Sequence, residues 1–146
     1  MVCAGIDALA GLPSTHLDRC SSLYRTAPMG VMTQPDFINA VCRVTTDLDP
    51  HALLGHLFAI EERHGRVREG PKWGPRTLDL DLLLYDEIVS ITPALMLPHP
   101  GLHERAFVLY PLLEIEPALS VPEHGRVAEL AARCPPMRVQ RLERQC

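Results

Sequence analysis

The chain has 146 residues, of which 47% are apolar and 22% charged, with a formal net charge of −4. That length fits one domain with an ordinary core, and that composition excludes disordered and collagen-like chains. The acidic balance argues against a surface built to grip nucleic acid, and no apolar run reaches the length of a membrane span.

The N-terminal residues Met1 to Asp7 lack a basic segment and carry an early Asp, so they make a poor signal peptide. Val2, Ile6 and Leu9 recur at helical spacing until Gly11 and Pro13 end the pattern. His16 to Thr26 reads as a strand, followed by a loop marked by Pro28-Met29-Gly30 and Gln34-Pro35. Asp36 to Thr46, rich in β-branched and aromatic residues, reads as a second strand. Asp49-Pro50 opens a helix as N-cap and first-turn proline. Its apolar face is Leu53, Leu54, Leu57, Ile60 and Phe58, and Gly65 stops it. Residues 66–76 form a loop, Thr77 to Tyr85 a third strand, and Glu87 to Ile91 a short partner strand. After a turn at Pro98 to Gly101, Leu102 to Ile115 reads as a second core helix bent or broken at Pro111, and Val127 to Cys134 as a short last helix. This order gives an α+β or α/β plait.

The five cysteines are odd in number, irregularly spaced and without a C-x-x-C pair. That disfavours a disulfide framework and a zinc site, and predicts a reduced chain with small buried thiols.

The strongest chemical signal is Thr77-Leu78-Asp79-Leu80-Asp81-Leu82. On an extended segment Asp79 and Asp81 share one face, about 6.6 Å apart along the chain, opposite the leucines. Such a pair either converges on hard cations or forms the solvated acidic face of an edge strand. Just upstream, Arg63, Arg66, Arg68, Lys72 and Arg76 place five cations within fourteen residues. Gly and Pro keep that segment irregular. A cationic loop beside two carboxylates suits phosphoryl transfer; the alternative is a basic loop that offsets the acidic strand. Trp73, the only Trp, lies in this loop, where a large ring needs something to cover. Phe37 and Asn39 would project from one strand face, as a flat ligand with a hydrogen-bonding edge requires, although for Phe37 taken alone, and for Phe107, core packing is the commoner role. Gly65-x-x-x-x-Gly70 fails as a P-loop because Pro71 replaces its lysine, and His99 and His103 are separated by Pro100-Gly101.

Several blocks resemble the 6-hydroxymethyl-7,8-dihydropterin pyrophosphokinase family of folate biosynthesis. They are Ser21-Ser22-Leu23-Tyr24-Arg25-Thr26-Ala27-Pro28, Gln34 to Ala40, Ile60-Glu61 with Gly65-Arg66, Trp73 to Asp81, Leu97-Pro98-His99, and Arg105 to Leu109. The resemblance implies a ferredoxin-like α+β plait with an antiparallel sheet and packed helices, formed by residues 1–146 as a single domain. It implies transfer of pyrophosphate from ATP to the pterin hydroxymethyl oxygen, with AMP leaving, in the cytoplasm. By matched position, Asp79 and Asp81 would hold two Mg²⁺ ions, and Arg66 and Arg76 would be the catalytic arginines. Glu61, Arg68, Lys72, His99 and Arg105 would serve ATP. Thr26, Ala27, Met29, Phe37, Asn39, Trp73 and Phe107 would line the pterin site. Association with neighbouring folate-pathway enzymes is a further expectation. The alternative is a non-catalytic ligand-binding or protein-interaction domain derived from this family. The family opens on a strand and a Gly-Ser-Asn turn, whereas this chain opens inside the helix that follows. The expectation is therefore an N-terminally truncated domain whose first strand is missing.

Overall fold

A computed structural model describes residues 2–26, 37–65, 78–134, 138–143 and 146. The fold is mixed, with helices packed beside small antiparallel sheets. Helix α1 (Val2–Ala10) leads into β1 (Thr15–Cys20), which pairs with β4 (Cys42–Thr46). Between them lie β2 (Tyr24–Thr26) and β3 (Phe37–Asn39), which pair with each other. Strand β9 (Val139–Arg141) adds to the far edge of β2. Helix α2 (Pro50–Arg63) begins where expected: the Asp49 side chain accepts from the Ala52 N–H at 2.8 Å, with Pro50 at the first turn. Its buried face is Leu53, Leu57, Ile60 and Glu61, while Phe58 is exposed.

Several predicted elements are redrawn. The strand expected over His16 to Thr26 is two strands in two sheets. At the break, the Ser21 hydroxyl donates to the Ser22 carbonyl and accepts from the Val41 N–H, taking up backbone groups outside the strand pattern. The strand expected over Asp36 to Thr46 divides at the facing position, Ala40-Val41. Residues 78–85 are not a strand, because no ladder forms along them among the described residues. Their predicted partner is displaced too: β5 (Ser90–Thr92) forms a hairpin with β6 (Leu95–Leu97). The second core helix breaks at Arg105, between a 3-10 turn (Leu102–Glu104) and α3 (Ala106–Ile115). Pro111 sits inside α3 with its ring fully buried, so packing offsets the hydrogen bond it cannot donate. A small hairpin of β7 (Ser120–Val121) and β8 (Gly125–Arg126) precedes α4 (Val127–Arg133). The all-thiol expectation is also corrected: Cys3 and Cys146 form a disulfide, with Cα atoms 5.2 Å apart and so within bridging range. No described helix is long and apolar enough to cross a membrane.

Two apolar clusters frame the segment 78–84. Leu78, Leu80 and Leu82 pack on the cluster formed by Leu12, Leu53, Leu57 and Ile60. Leu83 and Leu84 pack on the other, built around α3 and α4. Gly5 of α1 lies directly over Leu78: a Cβ there would stand 2.8 Å from its Cδ2, so glycine permits the close approach. The leucines therefore fix the segment by burial, and the alternation read from sequence survives without a ladder.

Candidate active site

Asp79 and Asp81 are both exposed, while Leu78 is buried and Leu80 half-buried. Burial of the leucines turns the two carboxylates outward together. Glu61, the one charged side chain buried among the described residues, at 5% exposure, reaches this segment from α2. Its Oε2 accepts the Leu80 N–H at 2.8 Å, between the two aspartates. A buried carboxylate needs such donors. Glu61 thereby sets the backbone from which Asp79 and Asp81 project, a role distinct from the nucleotide contact expected of it.

His99 is tied to the same segment, its N–H donating to the Leu83 carbonyl at 2.9 Å. Its Nδ1 accepts from the Gly101 N–H at 3.2 Å, which in the neutral ring leaves the proton on Nε2. A Cβ on Gly101 would stand 2.5 Å from Arg105 Nε, so the exposed guanidinium lies over the glycine and would have to swing aside for a larger residue. The Arg105 guanidinium also lies 5.9 Å from the centroid of the half-buried Phe107 ring. Phe107 packs on the α3 cluster, so core packing accounts for part of its surface.

The other group lies on β2 and β3. Tyr24 faces Asn39 and Thr26 faces Phe37 in the ladder. Directly opposed and alternate residues share a face, so Tyr24, Thr26, Phe37 and Asn39 lie on one face, buried along β2 and half-buried along β3. Thr26 is 4% exposed, and its hydroxyl is buried without a hydrogen-bond partner among the described residues. A buried unpaired hydroxyl costs free energy, which makes Thr26 a candidate for contact with a polar ligand group. Ala27, Met29, Arg66, Arg68, Lys72, Trp73 and Arg76 lie outside the described residues.

Sequence reasoning missed the support of this face. Glu114 of α3 accepts from the Ser22 N–H at 3.0 Å, the Ser22 hydroxyl at 3.0 Å and the Tyr24 hydroxyl at 2.7 Å. Arg141 of β9 completes the cluster, 3.3 Å from Glu114. Burial, then the Glu114 hydrogen bond and charge, push the Tyr24 hydroxyl up to about 12. Burial alone would raise Glu114, but the bonds from Tyr24 and Ser22 and the Arg141 charge outweigh it and hold the carboxyl low. The partners are 90 and 92 residues apart, beyond any local spacing signal.

The buried Glu61 gives one test. Glu61→Ala should cost about 1–3 kcal/mol of stability by stranding the Leu80 N–H, and should lower turnover by loosening Asp79 and Asp81. Glu61→Gln keeps an acceptor and should retain most of both. Chemical denaturation and steady-state kinetics of the two variants check this; equal behaviour would sink the positioning role.

Comparison with known proteins places the chain in a family. The family model described as 7,8-dihydro-6-hydroxymethylpterin-pyrophosphokinase (HPPK) matches residues 1–117. The chain is 46% identical over 139 residues to a Pseudomonas aeruginosa 2-amino-4-hydroxy-6-hydroxymethyldihydropteridine pyrophosphokinase, covering 95% of this chain and 85% of that protein. A Haemophilus influenzae protein of the same name is 43% identical over 127 residues, covering 87% of this chain and 79% of the relative. An Arabidopsis thaliana "Folate synthesis bifunctional protein" is 46% identical over 97 residues, which are 66% of this chain and 20% of that larger protein. With a match that spans far more than half of its length, the chain belongs to the 7,8-dihydro-6-hydroxymethylpterin-pyrophosphokinase family.

Proposed function

We propose that the chain catalyses ATP-dependent pyrophosphoryl transfer to 6-hydroxymethyl-7,8-dihydropterin in folate synthesis, and that the residues described above divide this work. The observation that carries the reading is the outward pair Asp79 and Asp81, fixed between buried leucines and a buried Glu61, inside the span of the family match.

The donor set fits magnesium. Two exposed carboxylates are hard oxygen ligands, and Mg²⁺ commonly takes one or two of these, with waters and substrate phosphates completing its shell. Asp79 and Asp81 would hold two Mg²⁺ ions, which neutralise phosphate charge and align the transferring group. The rest falls to side chains of the chain. His99 offers an Nε2–H, and Arg105 a guanidinium braced against Gly101, to the nucleotide. Asn39 pairs with the pterin edge, Phe37 and Phe107 hold its ring, and Thr26 turns its unpaired hydroxyl to it. Arg66 and Arg76 would stabilise charge on the transferring group, Arg68 and Lys72 would assist at the phosphates, and Trp73 would cover the pterin with Ala27 and Met29 beneath. We place these elements in a ferredoxin-like plait. The bifunctional relative supports association with other enzymes of folate synthesis.

The test is release of AMP and formation of the pterin diphosphate from ATP, Mg²⁺ and 6-hydroxymethyl-7,8-dihydropterin. Pterin binding by calorimetry without AMP release would instead select a non-catalytic binding domain.

A further inference from the structure

Cys20 and Cys42 are directly opposed in the ladder of β1 and β4. Their sulfurs are 3.1 Å apart, and the Cys42 thiol donates to the Cys20 sulfur. A disulfide sulfur pair stands at about 2.05 Å, so closure needs an approach of only about 1 Å between side chains that already face each other. Both residues are half-buried, open enough for a small reagent yet held by the strands on either side. Just beyond the pair, Ser21 N–H donates to the Val41 carbonyl at 2.8 Å, so the ladder bonding continues past the thiols and holds them in register. The third free cysteine, Cys134, donates to the Glu104 carbonyl at 3.4 Å instead.

We propose that Cys20 and Cys42 form a reversible cross-strand dithiol–disulfide site that reacts with low-molecular-weight disulfides of the glutathione class. Cys20 attacks first. Cys42 spends its S–H on the bond to the Cys20 sulfur, and burial, then that bond, hold the Cys42 thiol up, which leaves Cys20 as the entering nucleophile. The Cys20 thiolate attacks one sulfur of the oxidant; the oxidant's S–S bond breaks, and one glutathione leaves as thiolate and takes up the proton Cys20 gave to solvent. Cys42 then loses its proton, attacks the Cys20 sulfur of the mixed disulfide and expels the second glutathione. Two protein thiols are oxidised, and one external disulfide is reduced to two thiols. The bridge closes the neck of the segment that carries β2 and β3, because β1 ends and β4 begins at these two residues.

The experiment treats the full chain with glutathione disulfide, the Cys3–Cys146 bridge left intact, and maps the products by peptide mass spectrometry. The expected result is a peptide pair linking Cys20 to Cys42, release of two glutathiones for each bridge, and reopening by excess reduced glutathione. Cys42→Ser should trap a stable glutathione adduct on Cys20, since the resolving thiol is gone. Three results overturn the proposal: a lasting adduct on Cys20 in the unaltered chain, a bridge from either residue to Cys134, or both thiols free under conditions that modify Cys134. The mapping of the unaltered chain decides the matter even where a variant fails to fold.

Discussion

Asp79→Asn and Asp81→Asn should each lower AMP release by about three orders of magnitude or more, a loss of at least ~4 kcal/mol of transition-state stabilisation. Asparagine nearly matches aspartate in shape but brings no charge to a hard cation. The stability of the chain should stay within about 0.5 kcal/mol, because both side chains are exposed and the segment is anchored by its leucines. The two losses should not add. Once one carboxylate is gone the proposed metal site is incomplete, so the double variant should be barely slower than the worse single one. Near-normal turnover of either variant at saturating Mg²⁺ would remove the aspartate pair from the mechanism. Loss of activity accompanied by early unfolding would instead give these residues a structural role.

What the sequence made legible was local. Asp49 and Pro50 announce the start of α2, and Leu53, Leu57 and Ile60 announce its buried face, because capping and helical period act within a few residues. The alternation of Leu78, Asp79, Leu80 and Asp81 is local too, and the structure keeps it. Strand assignment for 78–85 went astray because a strand is defined by its neighbour, which alternation does not reveal. The break after Cys20 depends on Ser21 meeting Val41, and the role of Glu61 depends on its meeting Leu80. Neither meeting follows from spacing along the chain. The resemblance placed Glu61 near the nucleotide; the fold adds that one of its carboxylate oxygens accepts from the Leu80 N–H. The shared face of Phe37 and Asn39 was readable from period two alone, but the strand that opposes it, with buried Thr26, needed the register.

The Glu114 cluster, another non-local contact, takes up more groups at once than either the Ser21 or the Glu61 contact and should be the most costly to break. Glu114→Ala should destabilise the chain by about 3–5 kcal/mol, because one carboxylate satisfies buried Ser22 and Tyr24 together and each stranded group costs ~1–3 kcal/mol. The Arg141 contact adds little, since that side chain is 60% exposed and its attraction is screened. A domain holds only about 5–15 kcal/mol of stability, so the variant should lose its fold at much lower urea. Before it unfolds, KM for the pterin should rise, because Tyr24 sits opposite Asn39 and Ser22 leads into the same strand. Acid should reproduce part of this loss in the unaltered chain. The carboxyl of Glu114 is held below its ordinary value of 4.5 in the folded state. Its contribution is therefore complete above that value and disappears as pH falls through the lower folded value. Glu114→Gln keeps an acceptor for Tyr24 and the Ser22 hydroxyl but has no proton to take up. It should lose less stability at pH 7 than Glu114→Ala, and its margin below the unaltered chain should narrow as the solution is acidified. Urea unfolding of the three proteins at pH 7 and on the acid side of 4.5 reads both effects. A constant gap between the glutamine variant and the unaltered chain across that range would show that the Glu114 cluster is held by shape rather than by charge.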